Sequence, residues 1–228
     1  MTKEEEKLDN PVWFSLTEAH QKFALNYGNI KFYHPDYCPF GGFINDENTS
    51  DFIEEYAKET ANFYVVGKKP NFSENLILNK ELVCNQMVLQ DNIKIEVTEE
   101  IVELNADRKH DLIELVNLVQ PGYFKEKTPQ LGNYYGIYKD HKLIAVTGER
   151  MKMNAYSEIS AVVTHPDFTG KGYAKQLVAF TANEIFVAGK LPYLHVAETN
   201  TGAIKLYEKL GFTTRRKISF WNLIKEEN

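Results

Sequence analysis

Residues Glu158 to Lys175 read EISAVVTHPDFTGKGYAK. The first part is rich in β-branched and apolar side chains and predicts a strand over Ser157–Thr164 that ends at His165-Pro166. The last part opens a helix, expected over Gly172–Ala188, in which Ala174, Leu177, Val178, Thr181 and Ile185 share one face and Gly189 stands behind. Between them, Thr169-Gly170-Lys171-Gly172-Tyr173-Ala174 puts two glycines where the backbone must turn into the helix. With side chains removed there, several amide N–H groups can point at one spot, at the positive end of the helix dipole. That is a nest suited to a diphosphate. Two glycines can also do no more than shape a tight turn, so the loop alone leaves both readings open.

Working outward, a strand at Tyr193–Ala197 leads to a helix at Thr201–Leu210 that Asn200 can cap and Gly211 can end. Phe212–Leu223 supplies closing strand material. Upstream, the pattern predicts a short strand at Ile101–Leu104 and a helix over Asp111–Val119 that stops before Pro121-Gly122. Strands at Tyr134–Lys139 and Lys142–Met151 follow, split by an Asp140-His141 turn. The first part of the chain reads as a helix at Leu16–Asn26 and a proline- and glycine-broken loop through Pro35–Gly42. A second helix at Ser50–Thr60 precedes short strands at Asn62–Val66, Leu76–Leu78 and Leu82–Gln90. This order predicts an α/β (α+β) architecture with a mixed, mostly antiparallel sheet flanked by helices. The expected organisation is two domains, a smaller N-terminal α/β unit over 1–95 and a C-terminal unit over 96–228, meeting in the polar stretch Asp91–Thr98.

The 228 residues carry 26 Lys and Arg against 32 Asp and Glu, a net charge of −6. Residues 1–96 hold nine basic and 16 acidic side chains, and residues 97–228 hold 17 and 16. That balance disfavours nucleic acid as a partner. Basic residues at Lys171/Lys175 and Arg215/Arg216/Lys217 still leave room for a small polyanion. No apolar run approaches the roughly 20 residues of a membrane span, and the acidic start lacks the apolar core of a secretory signal, so a cytoplasmic protein without membrane contact is expected. Cys38 and Cys84 are expected to be reduced structural thiols, and His34-Pro35-Asp36-Tyr37-Cys38 an ordinary loop, with no metal site.

Glu158–Ala174, followed one strand later by Asn200-Thr201-Gly202-Ala203 and Tyr207 to Gly211-Phe212, resembles the GNAT superfamily of acyl-CoA-dependent N-acyltransferases over residues ~98–224. The two motifs stand in the right order and separation, which is more specific than either alone. The resemblance implies a GNAT-like sheet in the C-terminal unit, and a degenerate copy of it is one reading of the N-terminal unit. It implies acetyl-CoA, or another acyl-CoA, as co-substrate. Val162, Val163 and Thr164 would expose backbone groups to the pantetheine arm. Thr169, Gly170, Lys171, Gly172, Tyr173 and Ala174 would hold the diphosphate, and Asn200 would touch the arm as well as cap its helix. Thr169 departs from the Gln or Arg usual at that position, which implies weaker cofactor affinity, and Lys171 can offset the missing charge.

Catalytic roles follow from the same resemblance. Tyr207 matches a general acid that protonates the departing thiolate, though its spacing also fits a tyrosine at the core edge. Glu158 and His195 both stand where members place a general base; a strand-edge carboxylate and a half-buried polar ring are the alternatives, and a water chain or an already neutral amine is the third route. Pro121–Thr128 corresponds to an acceptor-binding wall. Glu149 and Arg150 either grip a substrate ammonium or carboxylate or form an exposed ion pair. Trp13, Phe14, Tyr33 and Tyr37 are expected to help line the pocket. The acceptor would be the amine of a small or amino-acid-like molecule; a homodimer stays open. The rival reading is a non-catalytic acyl-CoA sensor, which would need neither Glu158, His195 nor Tyr207.

Overall fold

The computed structural model describes residues 2–225. The N-terminal half comprises helices α1 (Lys3–Glu6) and α2 (Pro11–Thr17), strands β1 (Ala24–Tyr27), β2 (Ile30–Tyr33) and β3 (Phe40–Phe43), helix α3 (Thr49–Tyr56), and strands β4 (Asn62–Val66) and β5 (Leu76–Val88). The C-terminal half runs β6 (Val102–Glu103), α4 (Lys109–Val119), β7 (Tyr134–Lys139), β8 (Lys142–Lys152), β9 (Tyr156–Thr164), α5 (Tyr173–Val187), β10 (Leu191–Ala197), α6 (Thr201–Lys209) and β11 (Thr213–Lys225). These eleven strands form one sheet in the order β1-β2-β3-β4-β11-β5-β10-β9-β8-β7-β6. Among the described residues only β3–β4 and β9–β10 pair in parallel, each joined through a crossover helix, α3 or α5.

That order contains a repeat. β1–β4 are laid out as β7–β10 are, and each set takes as its next neighbour the last strand of the other half. β11 pairs with β4 and β5 pairs with β10, both antiparallel. The two exchanged strands then pair with each other from Thr213↔Val88 to Lys225↔Leu76. In space the two halves are interlocked by this exchange.

Helices cover both faces where the site will lie. Neighbouring residues of β7 point to opposite layers: Tyr134 packs with Leu112, Leu115 and Val116 of α4, and Tyr135 with Tyr173 and Leu177 of α5. The α5–α6 layer closes over Met87, Leu194 and Phe212. Cys38 and Cys84 are buried and free, and burial pushes both thiols up to about 12.

The C-terminal elements fall within a residue or two of their expected limits. In the N-terminal half the strand at Asn62–Val66 lies as expected and the helix expected at Ser50–Thr60 ends earlier, at Tyr56, while the others differ more. The helix expected over Leu16–Asn26 lies earlier, because Asn10 caps the Trp13 N–H and Pro11 occupies the first turn. Its expected last three residues belong to β1, after a short 3-10 turn at Gln21–Phe23. The loop expected through Gly42 contains most of β3. A Cβ on Gly41 would meet the Phe32 ring at 2.2 Å, and one on Gly42 would meet Asn10 Oδ1 at 2.6 Å. These glycines serve close approach within a strand, not a turn. The two strands expected at Leu76–Leu78 and Leu82–Gln90 are one strand, whose polar middle pairs with β11 through Lys80↔Asn222.

Interlocking predicts a single cooperative unit. Urea unfolding followed by tryptophan fluorescence (Trp13 and Trp221) and by far-ultraviolet circular dichroism should give one coincident transition. A chain cut to residues 96–228 should show none, since β10 and β11 lose β5. Two separated transitions would overturn this.

Candidate active site

β9 and β10 pair only from Tyr156↔Leu191 to Ile159↔Leu194. Beyond that point each keeps its other neighbour: β9 stays with β8 through Thr164↔Ala145, and β10 stays with β5 through Ala197↔Cys84. The strands therefore diverge, and the facing edges of Ser160–Thr164 and His195–Ala197 lose their ladder. A bulge sharpens the wedge. Ala161 sits at φ 51°, and the register with β8 slips between Val146↔Val163 and Gly148↔Ser160. Val162 lines the opening, whereas the Val163 side chain is buried under α4.

At the wide end of the wedge, the turn into α5 has Gly170 at φ 76° and Gly172 at φ 81°, with nothing within 4 Å of where a Cβ would stand. No side chain caps α5. Its leading N–H groups are thus available to an anion, with the helix dipole behind them. Thr169 closes the turn by donating to the Pro166 carbonyl at 3.2 Å. Lys171 lies over the Phe168 ring at 5.0 Å. His165 is a structural group, its Nε2 facing Lys142 Nζ at 2.9 Å and its Nδ1 accepting from the Asp167 N–H. On the other bank, Asn200 Oδ1 caps α6 by accepting from the Ala203 N–H at 3.1 Å, and Asn200 also lines the opening. Tyr207 reaches the same space from α6. Burial pushes its phenol up to about 12, so it is protonated at neutral pH.

Glu158 and His195 meet at the narrow end. The carboxylate accepts from Arg150 Nε and Nη2 at 2.7 and 2.8 Å, and from His195 Nδ1 at 2.8 Å. Burial alone would raise the Glu158 pKa, but the Arg150 guanidinium and the His195 N–H outweigh it and hold the carboxyl at about 2. His195 Nε2 faces the Gln86 amide nitrogen at 3.1 Å. The orientation of that amide is set by its other partners, the Leu8 carbonyl at 2.7 Å and Arg215 Nη1 at 3.0 Å, so it donates to the ring. Both imidazole nitrogens are engaged, and Glu158 is a saturated counter-ion.

Wedge, Tyr207 and ion pair open on one chamber of about 450 Å³. Gln120, Pro121, Tyr123, Phe124 and Thr128 form part of its wall, in or next to the segment expected to contact an acceptor. The N-terminal half contributes Phe40 and Tyr64, and the exchanged strands contribute Leu82, Cys84 and Phe220. Trp13, Phe14, Tyr33 and Tyr37, expected here, lie elsewhere: Tyr33 and Tyr37 pack in the N-terminal core with His20 and Phe23. Arg150 and Glu149 are not an exposed ion pair. Arg150 pairs with Glu158, and Glu149 with Lys152 and Ser157. Gln86 and Phe40 carried no sequence signal, since their meaning depends on strand exchange.

The N-terminal half has no second cradle. Where the glycine turn would be, it has Asn45-Asp46-Glu47, with the carbonyls of Asn45 and Glu47 bonded to the Asn29 side chain. No helix joins β4 to β5, so α6 also lacks a counterpart. No group of His, Cys, Asp and Glu among the described residues could hold a metal ion, and no described helix is long and apolar enough to cross a membrane.

Residues 134–221 match the FR47-like protein family. Among solved structures, a protein from Novosphingobium aromaticivorans assigned to the GNAT family of acetyltransferases is 28% identical, covering 96% of this chain and 99% of that one with a TM-score of 0.89. A GCN5-related N-acetyltransferase-like protein from Streptococcus suis is 14% identical over 96% and 97% of the two chains, with a TM-score of 0.66. A GCN5-related N-acetyltransferase from Kribbella flavida is 12% identical over 95% of each, with a TM-score of 0.65. No protein with a curated description matches.

Replacing Glu158 with Gln leaves Arg150 without a buried counter-charge and should destabilise the fold by roughly 3 kcal/mol in urea titrations. Because the folded pKa lies below the ordinary 4.5, this contribution is complete above pH 4.5 and is lost as pH falls toward 2. An unchanged urea midpoint for Glu158→Gln at pH 7 would refute it.

Proposed function

The chain belongs to the GNAT superfamily, and from that premise we propose that it is an acyl-CoA-dependent N-acyltransferase, using acetyl-CoA to acylate the amine of a small, amino-acid-like acceptor. The observation that carries this reading is the unzipping of β9 from β10 beside an uncapped glycine turn, with a protonated tyrosine in the same chamber.

Bound acyl-CoA would supply an activated thioester carbonyl; its diphosphate suits the N–H groups of Thr169–Ala174, and its arm the free edges of Val162–Thr164 and Asn200. The bulge at Ala161 supports a further role for the unladdered backbone of the wedge, donation to the carbonyl oxygen as negative charge develops on it. Such a donor is worth roughly 3 kcal/mol in related acyl transfer. Tyr207 gives its proton to the sulfur as the C–S bond breaks and the acceptor nitrogen closes the C–N bond. The surplus proton on that nitrogen leaves through water and restores the phenol.

Glu158 and His195 have holding roles in this scheme. A carboxyl held at about 2 is a poor proton acceptor at neutral pH, and the two His195 ring nitrogens are occupied by Glu158 and Gln86, so neither is presented to an amine. The acceptor therefore reacts from its already neutral fraction, and proximity in the chamber supplies much of the acceleration.

Three outcomes are expected. Tyr207→Phe should lower kcat by roughly 10²–10⁴-fold while calorimetry shows unchanged CoA affinity; full turnover would remove Tyr207 as the acid. The rise of kcat/KM with pH should move with the acceptor's own amine pKa when the acceptor is exchanged. A limb fixed near neutrality for every acceptor would instead point to a base on the protein. Gly172→Val, forced to φ 81°, should weaken CoA binding by roughly tenfold or more, and equal affinity would remove the diphosphate cradle.

A further inference from the structure

Arg150 does more than balance Glu158. Nε and Nη2 are committed to the carboxylate, and the guanidinium carbon stands 4.8 Å from the centre of the Phe40 ring. One edge and one face of the group are thereby fixed. Nη1, on another edge, makes no hydrogen bond to the described residues, yet it is not among the sealed polar atoms that lack partners. It therefore opens onto the chamber that Arg150 lines. Exposure agrees: 17% of the Arg150 side chain is accessible and 1% of Glu158. The pair presents its cationic edge, not its carboxylate, to whatever enters.

The rest of the wall narrows the choice. Among the described residues Glu158 is the one acidic side chain lining the chamber, and its oxygens are taken by Arg150 and His195. No lining carboxylate is free to hold a second ammonium, so a polyamine or an aminosugar with several amines is poorly matched. Around Arg150 the surface is apolar, with Phe40, Leu82 and Phe220 from the N-terminal half and the exchanged strands.

We infer that the acceptor is an amino acid with a large apolar side chain, its carboxylate bound by the free edge of Arg150 and its side chain set against Phe40, Leu82 and Phe220. This rests on the acyltransferase reading. A guanidinium already held by Glu158 and Phe40 is preoriented, so its remaining donors meet a planar carboxylate with little loss of freedom.

The test measures thiol release from acetyl-CoA with L-leucine and L-phenylalanine, with 3-methylbutylamine and phenethylamine (the same skeletons without the carboxylate), and with L-phenylalaninamide. Rates are expressed per neutral amine, which removes differences in amine pKa. The acids should exceed the other amines by roughly 10- to 100-fold in kcat/KM, mainly through KM. In Arg150→Lys the preference should shrink to within about threefold. In a parallel binding measurement on the unmodified protein with CoA, N-acetyl-L-phenylalanine should bind tighter than N-acetylphenethylamine by a similar factor. If Arg150→Lys fails to fold, the comparisons on the unmodified protein decide. Equal or better turnover of the amines lacking a carboxylate, or equal binding of the two acetylated compounds, overturns the inference and leaves the acyltransferase standing. Absence of turnover with every amine, while CoA still binds, overturns both.

Discussion

Charges taken out of water must find one another, and in this protein that requirement runs across the middle of the sheet. Arg150, Glu158, His195, Gln86 and Arg215 stand on five successive strands, β8, β9, β10, β5 and β11, and each is hydrogen-bonded to the next. The cost of burying Glu158 is offset only if Arg150 and His195 reach it in one geometry. His195 in turn relies on Gln86, its direct cross-strand partner in the register His195↔Gln86. Gln86 belongs to the N-terminal half. The row of polar groups under the chamber is therefore satisfied only when the two halves exchange strands.

The same anchoring accounts for the wedge. Two parallel strands will normally pair along their full length, because an unladdered edge leaves amides and carbonyls without partners. Here β9 is held by β8 and β10 by β5, and the bulge at Ala161 turns β9 away from its neighbour. A non-glycine residue at positive φ costs on the order of 1 kcal/mol, which a sheet tied down on both sides can sustain. Backbone groups that would have bonded to a strand are left facing a space a ligand can fill. Tyr207 faces the same space, its phenol pushed up to about 12 by burial.

The two halves repeat a layout but not a chemistry. The C-terminal half has a glycine turn before a 15-residue helix, and its partner has Asn45-Asp46-Glu47 before an 8-residue one. The Asn45 and Glu47 carbonyls are turned toward the Asn29 amide there, and acidic side chains stand where the other half has glycines. The N-terminal half supplies walls to the chamber, through Phe40 and Tyr64 and through its last strand. A half without a cradle thereby shapes what the other half can accept.

What could be read along the chain was whatever depends on neighbours close in sequence. The strand, glycine turn and helix from Ser157 to Ala188, the Asn200 cap and the tyrosine one helical face beyond it all follow from local torsional freedom, capping and periodicity. Gly41 and Gly42 misled because a glycine that makes room for another strand looks the same as one that makes a turn. The tertiary structure alone decided the roles of Glu158, His195 and Arg150. Whether a carboxylate accepts protons or holds a cation is set by the groups packed against it. Here the decisive contact joins residues 109 positions apart, on strands that become neighbours only after the halves interlock.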